Sequence, residues 1–135
     1  MVTKSEVEAL LRAAYAARQR GDLDEVMGFF GEGAHFSVSG SAAASPVPTV
    51  ASGSAAICEV LRRLVSAFEF KEATIVSLVV DGAEAAVHWH VHVRSLATGE
   101  EAETDILDML RIEDGRIVSL RQFADTALIN RLLGR

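Results

Sequence analysis

The chain has 135 residues, 50% of them apolar and 24% charged, with a net charge of −6. That composition fits one soluble globular domain with a real core, and its acidic balance disfavours nucleic-acid binding, which requires a basic patch. No apolar run approaches the ~18 residues of a membrane span, and the N-terminal segment, which carries Glu6 and Glu8, does not read as a signal peptide. The lone Cys58 has no internal disulfide partner, so the expected compartment is the cytoplasm.

Ser5 with Glu8 forms an S-x-x-E capping box. Val7, Leu10, Leu11, Ala14 and Tyr15 follow at helical spacing, and Gly21 closes this first helix. Asp22 with Glu25 starts a short second helix with Leu23, Val26, Phe29 and Phe30 on its apolar side, ended by Gly31 and Gly33. Residues 34–38 (AHFSV) read as a short strand. Residues 39–54 are rich in Ser, Ala, Pro and Gly and lack periodicity. They read as a flap over a pocket or as a mobile loop. Residues 55–68 form a third helix, with Ile57, Val60, Leu61, Leu64 and Phe68 on one side. Strands follow at about 70–80, 85–96, 101–112 and 116–124. Asp81-Gly82 and Asp114-Gly115 are strong hairpin turns and Thr98-Gly99 is a weaker one. Asp125 caps a final short helix. There is no internal repeat. One curved sheet wrapped on three helices makes an α+β cone with an open end, where small-molecule pockets occur.

The stretch HWHVHVR, residues 88–94, sets His88, His90 and His92 on one face of a strand and Trp89, Val91 and Val93 on the other. Two histidines at ~6.5–7 Å can share a zinc ion, but His88 and His92, ~13 Å apart, cannot. A third ligand would have to be Asp108, His35 or Glu84. H-x-H without H-x-x-x-H or a Cys pair is a weak signal, and no metal site is assigned. By apolar pattern alone, the valines and Trp89 point at the helices and the histidines point outward.

The element order, with RQRGDLDEVMGFFGEGAHF (18–36), DILDMLRIEDGRIVSLRQFAD (105–125) and a third helix started by Gly53, resembles the nuclear transport factor 2-like superfamily over nearly the whole chain. That group includes ketosteroid isomerase, scytalone dehydratase, limonene-epoxide hydrolase and the SnoaL-like polyketide cyclases, and the SnoaL-like branch looks most similar. The resemblance implies a cone-shaped, strongly curved antiparallel or mixed sheet packed on three helices. The D-I-L-D stretch matches the strand on which ketosteroid isomerase carries a protonated Asp, which places Asp108 there. The general-base position matches Val38, beside Ser37 and Ser39, where there is no carboxylate. The catalytic Tyr of that enzyme lies one position before Tyr15, an offset of ~100° around a helix. Ketosteroid isomerisation itself is therefore rejected. The Arg-Asp pair of limonene-epoxide hydrolase reads Arg121-Gln122 here, and scytalone dehydratase resembles the chain in placing histidines on pocket-facing strands.

The resemblance also puts His88, His90 and His92 inside the cone with Ile106, Asp108, Leu110, Leu120 and Gln122. Trp89 and Val91 would then join Leu107, Met109 and Phe123 on an apolar outer face that forms a homodimer. A three-residue loop at Ala97-Thr98-Gly99 would set His88 opposite Asp108, and a two-residue Thr98-Gly99 loop would set His92 opposite Asp105. The implied function is a cofactor-free isomerase, cyclase or dehydratase acting by proton transfer on a small, mostly apolar ligand. His88, His90 or His92 would be the base, Asp108 its partner, and Gln122, Tyr15, Leu120 and Ile106 the ligand-binding wall. The alternative is a non-catalytic small-ligand-binding or dimeric interaction module.

Overall fold

The structure is a computed structural model and describes residues 3–40 and 50–134. Helix α1 (Lys4–Arg20) buries Val7, Leu11, Ala14 and Ala17, a spacing that follows one helical face. Its start differs from the expected Ser5–Glu8 box. Thr3 is the N-cap and accepts from the Glu6 N–H, so the earlier of two overlapping pairs wins and lengthens the helix. Helix α2 (Leu23–Met27) begins at Asp22, whose carboxylate accepts from the Glu25 N–H. It stops at Gly28, not at Gly31 or Gly33. Phe30 is drawn into strand β1 (Phe30–Val38), where it pairs with Ile117 and is buried.

Strand β2 (Val50–Ser52) lies within the stretch expected to be structureless and pairs antiparallel with β1. Residues 41–49 of the expected flap lie outside the described residues. Helix α3 (Ser54–Ala67) buries Ile57, Val60 and Leu61. Strands β3 (Phe68–Asp81), β4 (Glu84–Ser95), β5 (Glu101–Glu113) and β6 (Arg116–Phe123) form the expected meander, and Asp125 caps helix α4 (Thr126–Leu132) through its carboxylate. Asp114 and Gly115 both take positive φ, 51° and 71°, as the two-residue β5–β6 turn requires. The sheet order is β2-β1-β6-β5-β4-β3, antiparallel except where β1 runs parallel to β6. The fold is the expected α+β class: an open mixed sheet with helices on one face.

The β4–β5 register matches neither expected loop. Ser95 N–H bonds to Glu100 O, Gly99 N–H bonds back to Ser95 O, and Leu96 N–H leaves the hairpin for Ala67 O. The loop therefore runs from Leu96 to Gly99, with Gly99 left-handed at φ 77°. His88 pairs with Leu107, His90 with Asp105 and Val87 with Asp108. One residue of register moves every side chain to the other face. Trp89, Val91 and Asp108 are accordingly inside, and the three histidines are outside with Leu107.

Candidate active site

The concave face of the sheet is apolar almost throughout. Ala85, Val87, Trp89, Val91 and Val93 of β4 are buried against Ile106, Leu110 and Ile112 of β5 and the helices α1 and α3. Asp108 interrupts this surface, 1% exposed. A carboxylate in such a place needs donors, and two side chains from distant segments supply them. The Tyr15 hydroxyl on α1 donates to Asp108 Oδ2. Gln122 Nε2 on β6 donates to Asp108 Oδ1 at 3.0 Å, across a directly paired strand position.

Burial pushes the Asp108 pKa up to about 6, against the opposing pull of the Tyr15 and Gln122 hydrogen bonds, the Arg18 charge and the nearby Trp89 indole. Burial, then the Asp108 charge, drives the Tyr15 phenol well above its ordinary value, so Tyr15 stays a proton donor. Arg18 is half-buried, and burial lowers its pKa to about 10 although the Asp108 charge works the other way. It remains a cation at neutral pH. Its guanidinium carbon lies 4.4 Å from the Phe70 ring centroid. Trp89 is wedged edge-on between Tyr15 and Phe70, with centroids at 4.9 and 5.4 Å.

Two cavity lobes open around this cluster. The inner lobe, about 50 Å³, is lined by Tyr15, Asp108, Leu110 and Leu120. The outer lobe, about 70 Å³, lies under Ile106, Val91, Leu128 and Leu132. They share Arg18, Phe36, Leu61, Trp89 and Gln122 as walls. Each exceeds the ~10–15 Å³ that one water requires. Helix α4 roofs the outer lobe. It is tied down where Ser95 Oγ and Thr98 Oγ1 donate to Leu132 O and where Arg131 pairs with Glu100 at 2.7 Å.

The expected site therefore divides. Asp108, Gln122, Tyr15, Leu120 and Ile106 come together at the two lobes. His88, His90 and His92 do not. They stand on the convex face, where His88 and His90 both bond Asp105 (3.1 and 3.0 Å), His90 also meets Glu103 at 3.3 Å, and His92 bonds Glu101 at 2.7 Å. The two carboxylates raise the His90 pKa. Among the described residues no group of His, Cys, Asp and Glu is arranged to hold a metal ion. Trp89 and Val91 leave the expected dimer face for the cavity wall, while Leu107, Met109 and Phe123 stay outside, 40–44% exposed. Alternation had it right: valines and an indole gain more from burial than imidazoles do.

Sequence reasoning missed Arg18. Its signal is a cation on the apolar stripe of α1, at i+3 from Tyr15, i+4 from Ala14 and i+7 from Leu11. It also missed Phe70 and Phe36, whose roles depend on cross-sheet neighbours.

A family model described as SnoaL-like domain matches residues 11–120. A candidate isomerase from Bacillus subtilis is 17% identical, with 99% of this chain and 96% of that one covered, at a TM-score of 0.88. A nuclear transport factor 2-like protein of unknown function from Burkholderia pseudomallei is 19% identical over 96% and 98%, at 0.84. A candidate polyketide cyclase from Xanthomonas campestris is 17% identical over 96% and 98%, at 0.77. At these identities the likeness is one of fold. No curated protein matches the chain. Among the described residues no helix is long and apolar enough to cross a membrane.

Proposed function

This chain belongs to the SnoaL-like domain family, and we propose that it binds a small, mostly apolar organic molecule in the cavity around Trp89, with an oxygen of that molecule at Asp108. The observation that carries the reading is a fully buried carboxylate, held by Tyr15 and Gln122, at the wall of an otherwise apolar cavity. Apolar walls with a few convergent polar groups and a displaced titration are the marks of a small-molecule site.

The chemistry best suited to these groups is proton transfer without a cofactor: isomerisation, cyclisation or dehydration. With a pKa of about 6, Asp108 is mostly ionised at neutral pH and able to take a proton. Once protonated, it can donate a hydrogen bond to a developing oxyanion. Tyr15 stays protonated and orients it. Catalytic work thus passes from His88, His90 and His92 to Asp108. The names of two structural neighbours, a candidate isomerase and a candidate polyketide cyclase, point the same way. Ligand binding without turnover is the alternative, favoured by the lack of a carboxylate at Val38, which is buried and apolar.

Leu107, Met109 and Phe123 on the convex face support a homodimer through the sheet. We also place the protein in the cytoplasm, on its single unpaired Cys58.

Trp89 is the chain's one tryptophan and a wall of both lobes, so its fluorescence reports on the cavity. Small apolar compounds with one carbonyl or hydroxyl should shift its emission. Val91→Phe, which fills the outer lobe, should abolish that response, and replacing His88, His90 and His92 together by Gln should not. Binders that survive Val91→Phe but disappear with the histidine variant would place the site on the convex face instead.

A further inference from the structure

We propose, resting on the cavity reading above, that the ligand is an apolar organic anion whose oxygen-borne charge is received by Arg18, Trp89 and Gln122. Donors inside the cavity outnumber the acceptors placed to meet them.

Arg18 presents five N–H donors. Among the described residues its guanidinium lies over the Phe70 ring and makes no hydrogen bond or close ion pair; the Asp108 carboxylate reaches it only through its charge. Several arginines elsewhere do find acids. Arg20 holds Glu25, Arg62 holds Glu59 and Arg131 holds Glu100, in a chain with 19 Asp and Glu against 13 Lys and Arg. Those pairs are exposed. The arginine that faces the cavity has no such direct pair and meets the Asp108 charge only at a distance.

Trp89 repeats the pattern. The residue is 3% exposed, and its buried Nε1–H points near Asp108, close enough to lower that carboxyl's pKa, but makes no hydrogen bond of good geometry among the described residues. An unmet buried donor costs about 1–3 kcal/mol, so such groups need an explanation, and a ligand acceptor is one. Gln122 gives one amide hydrogen to Asp108 and has a second to offer. Arg18, Trp89 and Gln122 all stand where the two lobes meet. On the acceptor side, Asp108 already receives Tyr15 and Gln122. Thr104 and Asp125 lie on the wall of the outer lobe alone.

A neutral carbonyl could satisfy Trp89 but would leave the Arg18 N–H donors without a charged acceptor in hydrogen-bond contact. A cationic ligand would be repelled. A carboxylate or enolate answers both needs, and Phe36, Leu61 and Phe68 take up its apolar body. Binding has a second consequence. Asp108 faces Tyr15 and Arg18 from α1, Trp89 from β4 and Gln122 from β6, with Val26 and Phe30 as the apolar neighbours from α2 and β1. A second negative charge beside it drives proton uptake, so the anion enters together with a proton near pH 7.

The test uses the full chain with 3-phenylpropanoate and its neutral counterpart 3-phenylpropanamide, followed by Trp89 fluorescence and calorimetry. The acid should bind at least about tenfold more tightly than the amide, the value of one charge-assisted contact. Calorimetry in two buffers of different ionisation heat should show net proton uptake. Arg18→Met, which keeps the apolar stem, should erase the acid's advantage over the amide, with Arg18→Lys intermediate. The acid–amide comparison on the unaltered chain needs no variant to fold. Equal affinities, or a preference that survives Arg18→Met, would overturn the inference and leave the cavity reading standing. Failure of both compounds to bind would overturn both.

Discussion

Replacing Asp108 by Asn removes a buried charge and keeps its shape. Burial holds the Asp108 pKa at about 6 in the folded chain against 3.8 for a free carboxyl. Each pKa unit is ~1.36 kcal/mol, so the ionised carboxylate costs the fold about 3 kcal/mol. The sign follows from proton binding: between these two values the folded chain holds more protons than the unfolded one, so this site's contribution falls as pH rises. At pH 4.5 the penalty is about 1 kcal/mol, and by pH 8 it reaches its full value of about 3 kcal/mol. Asn carries no such dependence. Its amide oxygen can accept from Tyr15, and its NH2 can donate to a flipped Gln122 side chain. Urea unfolding of both proteins at the two pH values gives the difference, and carboxylates elsewhere cancel in it. Asp108→Asn should gain about 2 kcal/mol on the unaltered chain between pH 4.5 and pH 8. A stability gap that does not move with pH would refute the buried, charged Asp108 on which the site rests.

Three further outcomes are expected. Tyr15→Phe removes a donor from a buried carboxylate, costs about 1–3 kcal/mol at pH 8 and raises the Asp108 pKa further, read as a shift in its carboxyl carbon NMR titration. Ser95→Ala takes away a hydroxyl that donates to Leu132 O and accepts from Thr98 N–H. It should cost about 1–3 kcal/mol and speed amide exchange in α4 ahead of the sheet. Leu107→Glu puts a charge between Met109 and Phe123 on the convex apolar strip and should shift sedimentation to a monomer without altering the Trp89 emission.

Local signals carried most of the architecture. Gly21 stops α1 and Asp114-Gly115 turns β5 into β6 because each needs only its own backbone. The alternation of β4 gave the correct buried face. What the sequence hid was set by contacts between distant segments. Strand β2 has three residues and exists through its pairing with β1. The extra residue of the β4–β5 loop follows from Leu96 N–H bonding to Ala67 O across the fold. That one residue separated the histidines from Asp108, overturning the placement drawn from family resemblance. In the site, Asp108 was legible from its D-I-L-D context and Gln122 from its strand. Tyr15 and Asp108 stand 93 residues apart, and their bond needs the docking of α1 on the sheet. Arg18 looked like one of many surface cations.

In the proposed function, ligand chemistry belongs to the concave face around Asp108 and not to the histidine ladder. The most direct measurement is an NMR titration with 3-phenylpropanoate that follows the Trp89 indole N–H together with the ring protons of His88, His90 and His92. The indole signal should move as the cavity fills while the three histidines stay in place. Histidine signals that move while the indole does not would contradict that placement.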